Sequence, residues 1–367
     1  MTIHHVVSVS GGKDSTAVLL MAIQRFGRHR ITPIFCDTGN EHTAVHAYLD
    51  YLEQALDICI VRLKADFSEQ IAAKRVFIAR DVRTRREYAV EPVFDANGNP
   101  MPKRDGRGNV VTRLVKRKDG STAIVPVQKV RKVGGGRRVR WSNKAKRRAL
   151  QVLHPTGIPF LDLCLWKGRF PSRTAQFCTE ELKRNIAVAY QLELTDAGNT
   201  VVSWQGIRRD ESDSRRHAKS FEPIGANMFI YRPIASWTAE QVFDYCAQHS
   251  IRPNPLYLQG MKRVGCMPCH NCGKEEINQI NARFPEYLEQ KADWELLVSA
   301  ASKRGFSTFF NKELHRDGDH NPEIFAHESI PAVIEWSRTS RGGKQFDMLA
   351  DLIEPTACAS AYGLCEQ

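Results

Sequence analysis

Two groups of residues in this 367-residue chain have the types and spacing that chemistry needs. The first is Ser10-Gly11-Gly12-Lys13-Asp14-Ser15-Thr16, set between a short apolar run and an amphipathic stretch. Paired glycines let a backbone turn tightly and approach an anion closely. A helix opening there would present unpaired N–H groups and the positive end of its dipole. Lys13, Ser10 and Ser15 add donors suited to pyrophosphate oxygens. The GxxxxGK[ST] string of a Walker A loop is absent, so the expectation is a phosphate loop of another kind. The second group is Cys266-x-x-Cys269-x-x-Cys272, three thiols within seven residues, with Pro268 and Gly273 shaping the turn. Three close thiolates need a fourth ligand for a tetrahedral zinc or a cubane iron–sulfur cluster, and both accept thiolate. Ten Cys leave several candidates, and His270 could stand in for one of them.

Alternating strands and helices must hold these groups. The apolar patterns read as a strand over 4–10, a helix over 15–26, a strand over 31–37, a helix over 43–55 and a strand over 58–63. Farther on they read as a helix over 178–192, a strand over 200–204 and a helix over 239–249 announced by the capping box Thr238/Gln241. From Lys274 the pattern is mostly helical, interrupted at Pro285 and around 317–321. Cys36, Cys59, Cys164 and Cys246 stand in apolar surroundings and read as core. No internal repeat is evident. The strand–helix rhythm predicts an α/β fold with a doubly wound, mostly parallel sheet. The expected division is a first part of that domain at 1–73, an insertion at 74–149, its second part at 150–260, and a cysteine loop with helical region at 261–367.

The chain carries 53 Lys+Arg against 41 Asp+Glu, a formal net charge of +12, at 42% hydrophobic and 26% charged residues. That is globular composition, far from a disordered or fibrous one. No run approaches the roughly 18 apolar residues of a membrane span. The start lacks a charged-then-apolar leader, so a cytoplasmic protein without a membrane partner is expected. The charge is uneven. Residues 74–149 hold 23 Lys+Arg and 6 Asp+Glu, a local +17, which leaves −5 for the remainder. Turn signals separated by short β-branched runs make this segment read as hairpins or an arm inserted into the sheet domain. Its charge, with Trp141 available for stacking, points to DNA or RNA as partner.

The Ser10–Ser15 string resembles the pyrophosphate loop of the N-type ATP pyrophosphatases. That superfamily includes phosphoadenylyl-sulfate (PAPS) and adenylyl-sulfate reductases, tRNA thiolases and DNA phosphorothioation proteins. Four further segments are similar to the PAPS-reductase branch in order: Cys36-Asp37-Thr38-Gly39-Asn40-Glu41, Trp204-Gln205-Gly206-Ile207-Arg208-Arg209-Asp210-Glu211-Ser212, Pro233–Thr238 with Asn254-Pro255-Leu256-Tyr257, and Val264–Cys269. The resemblance implies an adenine nucleotide alpha-hydrolase-like sheet binding ATP, with Mg²⁺, or a sulfonucleotide. It implies nucleotide contacts at Ser10, Gly11, Gly12, Lys13, Asp14, Ser15, Asp37, Gly206 and Arg208. Asp37 would end a parallel strand beside the phosphate loop, where open α/β sheets bind ligands, and suits a ribose hydroxyl or the adenine side. Arg208 would supply planar donors to phosphate or sulfate, and Lys183 could face the same pocket. Cys178 lies where the family's distant cluster cysteine lies, which implies a [4Fe–4S] cluster on Cys178, Cys266, Cys269 and Cys272, with zinc as the competitor.

Two departures bear on the reaction. Phe177 precedes a single Cys178 where some reductases carry an adjacent pair. The tail, Cys358 through Cys365 to Gln367, lacks the E-C-G-[LI]-H string of the assimilatory reductases. The intact phosphate loop favours ATP cleaved to AMP and pyrophosphate in sulfur transfer, with Lys13, Asp14, Arg208 and Cys365 as the acting residues. A cysteine desulfurase or thioredoxin-type protein would donate sulfur or electrons. The alternatives are thiol-dependent reduction of PAPS or adenylyl sulfate through Cys365 or Cys358, and a nucleic-acid-binding protein regulated by nucleotide.

Overall fold

The computed structural model describes residues 2–116, 121–316, 318–340 and 345–346. Cys358 and Cys365 lie outside these residues. The chain divides into two compact units, residues 1–75 with 147–367, and residues 76–146. Among the described residues, no helix is long and apolar enough to cross a membrane.

The larger unit is built on a six-stranded sheet. Its strands are β1 (Ile3–Ser8), β2 (Ile31–Asp37), β3 (Val61–Lys64), β8 (Thr200–Trp204), β9 (Phe221–Gly225) and β10 (Met228–Tyr231). In order they run β3-β2-β1-β8-β10-β9, and every pairing is parallel except β9 with β10. Apolar, β-branched residues buried on both faces favour this arrangement. Val6, Ile34 and Val201 of three neighbouring strands are each 1% exposed or less and form one core cluster. Full burial of each contributes roughly 1.5–3 kcal/mol. Helix α1 (Lys13–Phe26) follows β1, and α2 (Thr43–Leu56) follows β2. From β1 the chain fills the sheet outward to β3 and later resumes on the other side at β8. The strand order therefore reverses between β1 and β8, the crevice where open α/β sheets hold ligands.

Expectation and structure differ at several points. The third strand begins at Val61 rather than 58, because α2 ends in a left-handed cap at Asp57 (φ 52°) whose turn consumes the intervening residues. Cys59 falls there and is exposed, whereas Cys164 and Cys246 are buried as expected. The single helix expected at 178–192 is a short turn, Phe177–Thr179, then a π-helical segment, Glu180–Arg184, then Asn185–Asp196. Such wider turns re-aim side chains and recur at functional sites.

Helices Lys274–Arg283, Pro285–Ala301, Asn321–Glu328 and Ile330–Ser337 form the C-terminal region. Glu295, 1% exposed, ties it together: its carboxylate accepts the Phe309 N–H (2.7 Å) and the Ile330 N–H (2.8 Å). Burial raises its pKa to about 7, against the opposing pull of those two N–H groups. A raised carboxyl pKa means the fold favours the neutral form. The stabilisation is complete below the unfolded pKa near 4.5 and is lost as pH rises toward 7, about 3 kcal/mol in all. Urea midpoints of the wild type should therefore fall across pH 4.5–7 relative to Glu295→Gln; parallel curves would contradict this.

The smaller unit is β-rich. Strand β4 (Arg86–Pro92) pairs antiparallel with β7 (Val130–Arg138), and β5 (Thr112–Lys116) with β6 (Thr122–Pro126). Between them the structure reveals a repeat that the sequence pattern concealed. Asp95 Oδ1 accepts the Asn97 and Asn99 N–H groups, and Asp105 Oδ1 accepts those of Arg107 and Asn109, all at 2.8–2.9 Å. Each turn closes on a matching three-way junction, Val93/Met101/Lys129 and Lys103/Val111/Val127. The conserved geometry needs only Asp, Gly and Asn at fixed places, too few identities to stand out by eye. Trp141 is 7% exposed and its backbone N–H bonds Asp81, so it is buried rather than available for stacking.

Candidate functional site

The loop after β1 is held in shape by its own polar atoms. Gly11 takes φ +72°, a region open to glycine, and the Asn254 side chain donates to its carbonyl at 3.1 Å. Ser15 Oγ donates to the Gly12 carbonyl (2.9 Å) and accepts the Ser10 N–H (3.0 Å). The Lys13 N–H donates to the Tyr257 hydroxyl at 3.1 Å. Gly12 is the N-cap of α1 and offers no side-chain cap, and the first-turn N–H groups of a helix are the ones that suit an anion.

Asp14 joins the two halves of the sheet. One carboxylate oxygen accepts from Arg208 Nε (2.5 Å) and the other pairs with Lys13 Nζ (3.1 Å). Arg208, 4% exposed, also pairs with Asp210. Gly206, just after β8, lies so close to α1 that a Cβ there would stand 2.8 Å from Asp14 C, Asp14 O and Ser15 N. Lys13, Asp14, Gly206 and Arg208 are thus gathered at the crevice between β1 and β8. Asp37, at the end of β2, accepts the Gly39 N–H at 2.9 Å. It also forms, with Glu41 and His46, a group whose ligating atoms lie within 4.8 Å of one another. Both Glu41 oxygens are already engaged, by Thr38 Oγ1 (2.7 Å), Thr38 N (3.1 Å) and Asn40 N (3.2 Å).

The cysteine loop docks on this same β2 end. The Met267 N–H bonds the Asn40 carbonyl (2.8 Å), and Asn40 Nδ2 bonds the Pro268 carbonyl (3.1 Å). The Cys266 thiol lies 3.6 Å from Thr38 Oγ1 and 3.8 Å from Glu41 Oε1. Cys269 and Cys272 are buried, and burial pushes the Cys266 and Cys272 thiols up. Cys178 Sγ approaches His270 Nδ1 at 3.9 Å. Cations surround these sulfurs. Cys266, Glu41 and Cys178 together hold the Lys183 pKa above its ordinary value despite burial. Burial disfavours the Arg263 charge, while Cys269, Cys266, Glu276 and Cys272 favour it. Lys312 Nζ donates to the Cys272 carbonyl.

This setting fits a thiolate-bound metal group. Four thiolates carry negative charge that these neighbouring cations would offset, and the buried His270 Nε2 has no hydrogen-bond partner among the described residues. A tetrahedral zinc, with Zn–S near 2.3 Å, would hold its sulfurs about 3.8 Å apart. Among the described residues, the thiols form no group that tight. Sequence reasoning overlooked Arg263 and Lys312 and gave Glu41 no role, whereas it had named His270 as a stand-in ligand. Asn254, Tyr257 and Glu41 stood inside recognised segments, but nothing local in the pattern showed which loop they would brace.

Comparison with known proteins gives four findings. A family profile described as the phosphoadenosine phosphosulfate reductase domain matches residues 4–272. An uncharacterized 37.8 kDa protein of Escherichia phage 186 is 39% identical over 370 residues, covering 99% of this chain and 96% of that protein. Adenosine 5'-phosphosulfate reductases of Mesorhizobium japonicum and Deinococcus radiodurans are 38% and 39% identical over 64 and 61 residues. Each match spans 17% of this chain and about a quarter of the reductase (25% and 24%). Among solved structures, the PAPS reductase of Candida auris aligns with 71% of this chain and 80% of its own, at 15% identity and a TM-score of 0.34.

Proposed function

This chain belongs to the phosphoadenosine phosphosulfate reductase domain family, and from that premise we propose that it cleaves ATP to AMP and pyrophosphate in support of sulfur transfer. The observation that carries the reading is the complete Ser10–Ser15 loop, braced by Asn254 and Tyr257 at the β1/β8 crevice with Lys13 and Arg208 beside it. An acceptor oxygen bonds the α-phosphorus, the α–β bridging bond breaks, and pyrophosphate leaves onto the loop. The α1 amides and Lys13 stabilise the charge developing there, and Mg²⁺ would supply further charge neutralisation when bound. Sulfur at the sulfide level then replaces the activated oxygen, which departs with AMP. Asp14 orients both Lys13 and Arg208. A cysteine desulfurase or thioredoxin-type partner is the proposed sulfur or electron source.

Cys178, Cys266, Cys269 and Cys272 would hold a [4Fe–4S] cluster, which supplies sulfur or electron chemistry when bound. Lys183, Arg263 and Lys312 offset the charge of its thiolates. The second reading, reduction of a sulfonucleotide, is favoured by the local match to the adenosine 5'-phosphosulfate reductases.

One assay separates the two. Anaerobically purified protein given α-labelled ATP, a sulfide source and either DNA or RNA is expected to form AMP and pyrophosphate only when the right acceptor is present. Sulfite release from PAPS or adenylyl sulfate, with no AMP from ATP under any acceptor, would establish the reductase instead.

A further inference from the structure

We propose that the unit formed by residues 76–146 is a binding surface for double-stranded DNA, a claim independent of the reaction assigned to the nucleotide site. The unit holds 19 Lys+Arg and 6 Asp+Glu, and its described acids are already committed within it. Asp81 pairs with Arg83 (2.8 Å), Glu87 with Arg85 (3.3 Å) and Arg137 (3.4 Å), and Glu91 with Arg131 (2.9 Å). Asp95 and Asp105 serve the backbone of their own turns. The acids therefore build the scaffold, and the excess positive charge faces outward. Lys103, Arg107, Arg113 and Lys129 are exposed, with no side-chain partner among the described residues. Lys103 and Lys129 stand at the two neighbouring junctions of the repeat, which concentrates charge there. Arg86 lies directly opposite Arg138 across the β4/β7 ladder.

Shape selects duplex DNA among polyanions. Antiparallel pairing runs from Arg86/Arg138 through the two junctions to Lys116/Thr122, so the return side, β6 and β7 with the junction residues between them, extends over residues 122–138. At roughly 3.3 Å per residue its contour is about 55 Å, more than one turn of B-DNA at about 34–36 Å. A two-stranded ribbon is one of the two forms that enter the roughly 12 Å wide major groove of B-DNA, whereas the A-form major groove of duplex RNA is too narrow. Single strands are held by stacking on open aromatic rings. Here Trp141 is buried and cations cover Tyr88 (Lys132, 4.9 Å) and Phe77 (Arg83, 4.9 Å), which leaves Phe94, 53% exposed, as the one open ring among the described residues of the unit, too few to stack successive bases.

The test is fluorescence anisotropy of the full chain with a labelled 30-base-pair DNA duplex, a single strand and an RNA duplex of the same sequence, across a salt series. The wild type should prefer the DNA duplex. The variant Lys103→Gln/Arg107→Gln/Arg113→Gln/Lys129→Gln should bind it at least tenfold more weakly near 0.1 M salt. If all four contact phosphate, its slope of log K against log salt should be shallower by about 3–4. Arg25→Gln/Arg30→Gln, in the other unit, should match the wild type, and unchanged melting temperatures would show that all variants fold. Equal or tighter binding of single strands or duplex RNA, or a slope unmoved by the four substitutions, would overturn the proposal.

Discussion

Gly206→Ala is expected to lose at least about 100-fold in ATP turnover while the rest of the sheet stays folded. The added Cβ would stand 2.8 Å from three main-chain atoms of α1's first turn, a separation that real Cβ atoms do not tolerate. No flexible side chain can yield there. Either β8's exit or the phosphate loop must shift, at about 1–3 kcal/mol of stability. Because Asp14 bridges Lys13 and Arg208, a shift at Asp14 misplaces both cations. Misplacement by about 1 Å alone can cost about 100-fold in rate. Gly225→Ala, where a Cβ meets nothing within 4 Å, is the matched control and should leave rate and melting temperature near wild type. A wild-type turnover number for Gly206→Ala would sink the placement of the site at the β1/β8 crevice.

The second large effect concerns the thiols. Cys178→Ser should strip iron and acid-labile sulfide from anaerobically prepared protein by at least about tenfold, and with them the broad iron–sulfur absorbance. One of four thiolates is then replaced by a much poorer ligand. Two other cysteines sharpen the result. Cys59→Ser, on the exposed turn before β3, should change nothing. Cys164, fully buried near Cys178, has its thiol pushed well up by burial and by that neighbour. Cys164→Ala should retain iron at some loss of stability. Full iron in Cys178→Ser, or stoichiometric zinc in the wild type, would remove Cys178 from the ligand set or iron from the protein.

Local chemistry was readable in the amino-acid order. The glycine pair that permits φ +72° at Gly11, the apolar periods of β1, α1 and β2, and the Cys266–Cys272 spacing each concern residues close in sequence. The Thr238/Gln241 capping box formed as its spacing predicts, for the same reason. The charge of residues 74–149 was equally plain. Burial was less so. Trp141 looked like a free stacking ring and is packed away, while Cys59 looked like core and is exposed. Composition around a residue does not reveal which face of its element is covered.

What joins the site was beyond the reach of the sequence. Arg208 meets Asp14 across 194 residues, Asn254 meets Gly11 across 243, and Cys266 meets Glu41 across 225. Hydrophobic periodicity determines that a segment is a strand, because side-chain alternation is a local property. It does not determine which strand lies beside which. The order β3-β2-β1-β8-β10-β9 did that, setting β8 against β1 so that a late arginine faces an early carboxylate. Sequence by itself determined which residues carry groups of the type that phosphate and metal take. The tertiary structure decided which of them share a site, because only packing brings distant segments within the few ångströms over which hydrogen bonds and ion pairs act.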